Sequence, residues 1–205
     1  TSHTAIVARS LEIPAVVGAP DLLLKASSGL PMIVDGARGL AIFNPEPQTL
    51  ELYREEQKVF LKHLANLKRL RRQKAVTKDG HQVELSANIE MPEETASVLS
   101  HGAKGVGLYR TEFLFLTSDH LPTEEEQFQV YRKVAEKLNP DPVIFRTFDL
   151  GGDKLDNKTG PLSEANPFMG WRAIRFCLDR PEVFKPQLRA ILRASAHGQV
   201  KIMLP

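Results

Sequence analysis

Apolar residues change their spacing twice along this chain, and the changes divide it into three stretches. The first carries short apolar runs. Residues 15–18 (Ala-Val-Val-Gly) predict a buried strand, and residues 31–36 and 39–45 predict two more, joined by a tight Asp-Gly turn. Ahead of them Ile6, Val7 and Leu11 share one face of a helix-compatible segment that Pro14 stops. The second stretch, residues 49–75, contains no Gly or Pro. Tyr53, Phe60, Leu64 and Leu67 stripe one face of a predicted helix there. Glu51, Glu55 and Glu56 stand near its start and Lys68, Arg69, Arg71, Arg72 and Lys74 near its end, which suits the helix dipole. From Val76 onward strands and helices alternate. Strands are predicted over 83–89, 105–110, 142–146 and 200–204, and helices over 93–100, 122–138, 167–178 and 181–196. Repeated βα units with short apolar strands imply parallel pairing, in either a doubly wound sheet or a (β/α) barrel, and periodicity does not choose between them.

Composition narrows the class without naming a chemistry. A chain of 205 residues that is 42% hydrophobic can bury a real core. Net charge is +2 with both signs interspersed, and the basic end of the predicted helix lacks interleaved aromatics, so a nucleic-acid binder is not indicated. The single cysteine, Cys177, excludes an internal disulfide and a cysteine-cluster metal site, which fits a reducing, cytoplasmic compartment. No apolar run approaches the roughly 20 residues of a membrane span.

Two strand endings repeat. Leu108-Tyr109-Arg110-Thr111-Glu112 and Ile144-Phe145-Arg146-Thr147-Phe148-Asp149 each set Arg-Thr at the carboxyl end of a predicted strand. Two guanidiniums at one end of a sheet suit a small polyanion, since each fork can grip phosphate or carboxylate with two hydrogen bonds. The competing reading makes them structural ion pairs, Arg110 with Glu112 and Arg146 with Asp149, and the residues alone leave the two level. Near the start, His3 lies between Ser2 and Thr4, with Thr1 or Ser2 able to cap a helix. A neutral imidazole at a helix start could accept a phosphoryl group, although local composition alone favours an ordinary histidine in a polar turn. Gly151-Gly152-Asp153-Lys154 lacks the spacing of a nucleotide-binding loop. Cys177 reads as core, and the remaining histidines have no metal-ligand spacing.

Resemblance adds to these readings. Thr1-Ser2-His3-Thr4, with the following run to Gly18, resembles the phosphohistidine segment of the enzyme I family, the phosphoenolpyruvate–protein phosphotransferases of the bacterial sugar phosphotransferase system. Residues 105–115 (Gly-Val-Gly-Leu-Tyr-Arg-Thr-Glu-Phe-Leu-Phe) resemble the strand whose arginine holds phosphoenolpyruvate in that family. Arg146 through Lys154 resembles the second substrate-arginine segment, and Asn166 through Arg175 the loop and helix after it. The resemblance implies that His3 carries the phosphoryl group, that Arg110, Arg146 and Arg172 bind the substrate, and that Lys154 adds positive charge near the phosphate.

It also implies a fold: the C-terminal part of a swivelling β/α phosphohistidine domain over 1–47, a linker helix over 48–77, and the first half of a phosphoenolpyruvate-binding (β/α)8 TIM-type barrel over 78–205. The partners implied are phosphoenolpyruvate, the phosphocarrier protein HPr, and a second copy in a homodimer at full length. Mg2+ is the implied cofactor, with its ligands and the proton donor on later barrel strands. Absence of an initiator methionine fits a piece of a longer protein whose carrier-docking subdomain lies upstream, and such a piece is expected to be inactive alone. Alternatives are a pyruvate phosphate dikinase or phosphoenolpyruvate synthase, a nitrogen-branch paralogue, or a non-catalytic regulatory fragment. The Arg110–Phe115 and Leu121–Phe128 runs favour enzyme I.

Overall fold

The computed structural model describes residues 5, 8, 13–19, 22, 26–150 and 170–205. These separate into two compact units, residues 1–73 and 74–205.

In the first unit β1 (Met32–Asp35) and β2 (Leu40–Phe43) form an antiparallel pair in which Asp35 faces Leu40. The connection is therefore a four-residue loop and not the tight Asp-Gly turn expected. The Asp35 carboxylate organises it by accepting the backbone N–H groups of Ala37 and Arg38, each at 3.0 Å. Residues 15–18 are not a buried strand. They have no ladder partner and Val17 is 60% exposed. Ala15 instead lies against the hairpin loop, its carbonyl oxygen 3.1 Å from where a Cβ on Gly36 would stand. Helix α1 (Pro47–Leu70) starts on a proline, as the missing N–H permits, and buries none of its residues. Of the apolar stripe predicted for it, Phe60 and Leu67 are in solvent, Phe60 59% exposed, and Tyr53 and Leu64 are half-buried.

The second unit opens with an isolated antiparallel bridge between Val76 and Gln82. Strand β3 (Ala87–Ile89) follows, shorter than the 83–89 expected because Val83 instead bonds back to the Ala75 carbonyl. A 3₁₀ turn (Pro92–Glu94) leads into α2 (Thr95–His101), which Gly102 ends in the left-handed conformation at φ 79°. Then come β4 (Val106–Arg110), α3 (Glu112–Thr117) and α4 (Glu124–Leu138). The α4 start is capped reciprocally: the Thr123 hydroxyl accepts the Glu126 N–H, and the Glu126 carboxylate accepts the Thr123 N–H. Strand β5 (Val143–Arg146), α5 (Ala173–Asp179), α6 (Pro181–Ala194) and β6 (Val200–Met203) complete it. Helix α3 was not anticipated, and the first part of the helix predicted over 167–178 lies outside the described residues.

Strands β3 to β6 make one four-stranded parallel sheet in sequential order. Alternation along the strands sets its two faces, with β4 slipping by one residue at the irregularity between Val106 and Tyr109. Val106, Tyr109, Val143 and Phe145 are buried in a core shared with Val98 of α2, Tyr131 and Val134 of α4, and Ile191 of α6. Leu108, Arg110, Ile144 and Arg146 occupy the other face and are only half-buried. A smaller cluster, including Phe115, Phe148, Phe176 and Cys177, sits at the carboxyl ends of the strands. Burial pushes the Cys177 thiol up to about 12, in keeping with a core residue and not a nucleophile.

Candidate active site

The carboxyl ends of β3, β4 and β5 carry alternating acid and base. Arg110 and Arg146 end adjacent strands and are direct partners in the ladder. Parallel pairing thus brings the two Arg-Thr endings side by side, as their matched positions predicted. Glu90, one residue past β3, accepts Arg110 Nη1 at 2.7 Å. Glu112, the first residue of α3, accepts Arg146 Nη2 at 2.8 Å, and Asp149 approaches Arg146 Nη1 at 3.2 Å. The other Asp149 oxygen takes Nη2 of Arg172, the residue capping α5, at 2.9 Å and its Nε at 3.3 Å. Three guanidiniums and three carboxylates therefore share one end of the sheet.

The ion pairs differ in part from the structural reading of the sequence. Arg146 does pair with Asp149, but Arg110 pairs with Glu90 and not with Glu112. The reason is local: Thr111 turns the chain straight into α3, which swings Glu112 across to β5. Glu90, Glu112 and Asp149 were not singled out as site residues by sequence. What they had in common was position, each standing within three residues of a strand's carboxyl end.

Electrostatics at the site are uneven. Glu112 is nearly buried, and burial pushes its carboxyl above the ordinary range. Its own backbone N–H and the Arg146 guanidinium pull it back only in part, and nearby Asp149 adds to the rise. Among the described residues the Nε atoms of Arg110 and Arg146 are buried with no hydrogen-bond partner, as is the Thr147 hydroxyl. Buried N–H donors are seldom left unpaired, and two such donors stand here on neighbouring arginines.

His3 and Lys154, the other site residues expected, lie outside the described residues. For the implied Mg2+ the fit is poor. The three site carboxylates each face an arginine, and among the described residues no group of three or more His, Cys, Asp or Glu side chains could hold a metal ion. No described helix is long and apolar enough to cross a membrane.

The family description "PEP-utilising enzyme, PEP-binding domain" matches residues 64–205, and "PEP-utilising enzyme, mobile domain" matches residues 1–39. The whole chain is 49% identical to the phosphoenolpyruvate-protein phosphotransferase of Staphylococcus carnosus and 48% identical to that of Bacillus subtilis. It is 47% identical to that of Priestia megaterium. All 205 residues align in each case, and they span 36% of the length of each relative.

Proposed function

The chain belongs to the PEP-utilising enzyme family, and on that premise we propose that it is the phosphoryl-handling part of a phosphoenolpyruvate–protein phosphotransferase. It moves the phosphoryl group of phosphoenolpyruvate to His3 and from there to a histidine of the phosphocarrier protein HPr. The observation that carries this reading is the adjacency of Arg110 and Arg146 at the carboxyl ends of paired parallel strands, with Arg172 joined to Arg146 through Asp149. Phosphoenolpyruvate presents a phosphate and a carboxylate to this cluster, and each matches a guanidinium fork.

In the first step a neutral His3 nitrogen attacks phosphorus, an N–P bond forms, and the enol P–O bond breaks. Its electron pair leaves on the enolate of pyruvate, which then takes up a proton. Arg110, Arg146 and Arg172 hold the donor and offset charge on the phosphoryl oxygens, so catalysis is mainly positioning and electrostatics. Lys154 adds a further positive charge beside the phosphate. In the second step the phosphoryl group passes to the carrier, which requires His3 to leave the arginine site. That motion belongs to a swivelling phosphohistidine domain over residues 1–47, linked by the helix of residues 48–77 to a barrel beginning at residue 78.

Sequential parallel strand order supports the (β/α)8 form of that barrel. Right-handed crossovers that always step in one direction place their helices on one face, as α2, α4 and α6 lie here. Mg2+, which such chemistry uses to neutralise phosphate charge, would take its ligands from later barrel strands, since among the described residues no group of three or more His, Cys, Asp or Glu side chains could hold it. A cytoplasmic enzyme, homodimeric at full length, completes the reading.

The test uses the full-length protein and phosphoenolpyruvate carrying labelled phosphate. Acid-labile label on His3, absent in His3→Ala and sharply reduced in Arg146→Ala, is the expected result. Label that survives acid, or that persists in His3→Ala, overturns the assignment.

A further inference from the structure

We propose that Gln187 is a positioning residue for the arginine pair, acting through Thr111; the role rests on the phosphoenolpyruvate reading above. Gln187 stands on α6 and is fully buried. Its Oε1 accepts the backbone N–H of Phe148 at 2.9 Å. Its Nε2 donates to the Thr111 hydroxyl at 3.1 Å and to the Tyr131 hydroxyl at 3.3 Å. The Thr111 hydroxyl in turn donates to the carbonyl of Arg146 at 2.9 Å. One side chain from a helix therefore ties the residue after Arg110 to the backbone on both sides of Thr147.

The network has only one consistent direction. Pro122 O can only accept, so Gln127 turns its Nε2 toward it, at 2.9 Å. That leaves Gln127 Oε1 to accept from the Tyr131 hydroxyl at 3.1 Å, and leaves the Tyr131 oxygen to accept from Gln187. The Phe148 N–H can only donate, which fixes the other end of the Gln187 amide. Gln127, Tyr131, Gln187 and Thr111 are all buried, so no solvent competes for these bonds.

The clasp supports a ladder that has slipped once: the β4–β5 pairing shifts register between Val106 and Tyr109 before Tyr109 meets Phe145 and Arg110 meets Arg146 at the strand ends. Each arginine is also drawn toward its own carboxylates, Arg110 to Glu90 beyond β3 and Arg146 to Glu112 and Asp149. The Gln187–Thr111–Arg146 connection holds them at the spacing at which both forks can meet one small anion. A displacement of about 1 Å at such a site can cost on the order of 100-fold in rate.

The experiment compares Gln187→Leu, Thr111→Val and Thr111→Ser in the full-length protein, with Arg146→Ala and the core variant Ile191→Ala alongside. Phosphoryl transfer from phosphoenolpyruvate is measured as kcat and KM, and thermal unfolding of each variant is recorded. Gln187→Leu and Thr111→Val are expected to lose on the order of 100-fold in kcat/KM, with both kcat and affinity reduced. Thr111→Ser keeps the hydroxyl and is expected to recover most of the loss. Ile191→Ala is expected to unfold at lower temperature with its kcat preserved. Parental kinetics in Thr111→Val, or in a folded Gln187→Leu, would overturn the positioning role, and so would Thr111→Ser as impaired as Thr111→Val. An equal loss of kcat in Ile191→Ala would reduce the effect to stability and overturn it too. Should Gln187→Leu fail to fold, the Thr111 pair decides. Normal transfer by Arg146→Ala would instead bring down the phosphoenolpyruvate reading and the Gln187 role with it.

Discussion

Arg146 directs both terminal nitrogens at carboxylates, Nη2 at Glu112 and Nη1 at Asp149. Burial dominates at Glu112 and raises its carboxyl, because a charge near the protein interior loses more hydration than Arg146 returns. Its folded value therefore lies above its unfolded one. The contribution of Glu112 to stability is then complete below the ordinary carboxylate range and is lost as pH rises through the folded value. Half-buried Glu124 and exposed Glu136 have the opposite sign: Arg189 and Arg132 hold them low, so their contributions are lost as pH falls. Comparing the 205-residue chain with its Glu112→Gln variant cancels the surface groups. The stability of the parent relative to the variant should fall as pH is raised from about 4 to 8, read as thermal midpoints across that series; a constant difference would refute it. Tyr109 poses a simpler question. Its hydroxyl is buried with no partner among the described residues, while its ring packs on Phe145 with centroids 5.1 Å apart. Tyr109→Phe keeps the ring and removes the orphan, and should stabilise by about 1 kcal/mol, seen as a higher urea midpoint at unchanged slope.

Elements form here where a short apolar run also finds a partner. Strands β4, β5 and β6 were legible because each run is bounded by turn residues and lies next to its neighbour in sequence order. Residues 83–86 continue the alternation of β3 but precede the point where β4 can pair, so Leu85 stays 60% exposed and the strand begins only at Ala87. Helix α3 escaped notice because its six residues are too few to show a helical period. Gly105 shows how tightly a strand start can be specified. Its φ is 85°, and a Cβ there would stand 2.2 Å from the Pro142 carbonyl oxygen. That same oxygen accepts the Val106 N–H at 2.8 Å and opens the β4–β5 ladder. Gly105→Ala meets both the backbone penalty and the collision, and should cost about 3 kcal/mol or more. Urea unfolding measures it, and a loss below about 1 kcal/mol would mean that the strand start yields easily.

At the scale of the molecule the arginines were visible in sequence as repeated endings, whereas of their acidic partners only Asp149 was. Glu90 and Glu112 lie 20 and 34 residues from the arginines they meet, and Gln187 lies 76 residues from Thr111. Such pairings follow from strand register and helix docking, which no local pattern encodes. Burial is divided just as unevenly. Among the described residues every buried side chain belongs to residues 74–205, while α1 in the other unit buries none. Hydrophobic stabilisation scales with apolar area removed from water, so the cooperative core of the chain is that of the second unit. Truncation in each unit tests this directly. Ile191→Ala removes a side chain that is fully buried between the sheet and α4, and should lower the stability of the main unfolding transition by about 3 kcal/mol. Phe60→Ala removes a larger side chain that is already in solvent, and should change that transition by less than about 0.5 kcal/mol. Denaturant unfolding of the 205-residue chain reads both. Comparable losses would mean that α1 contributes to the same cooperative core, contrary to its exposure.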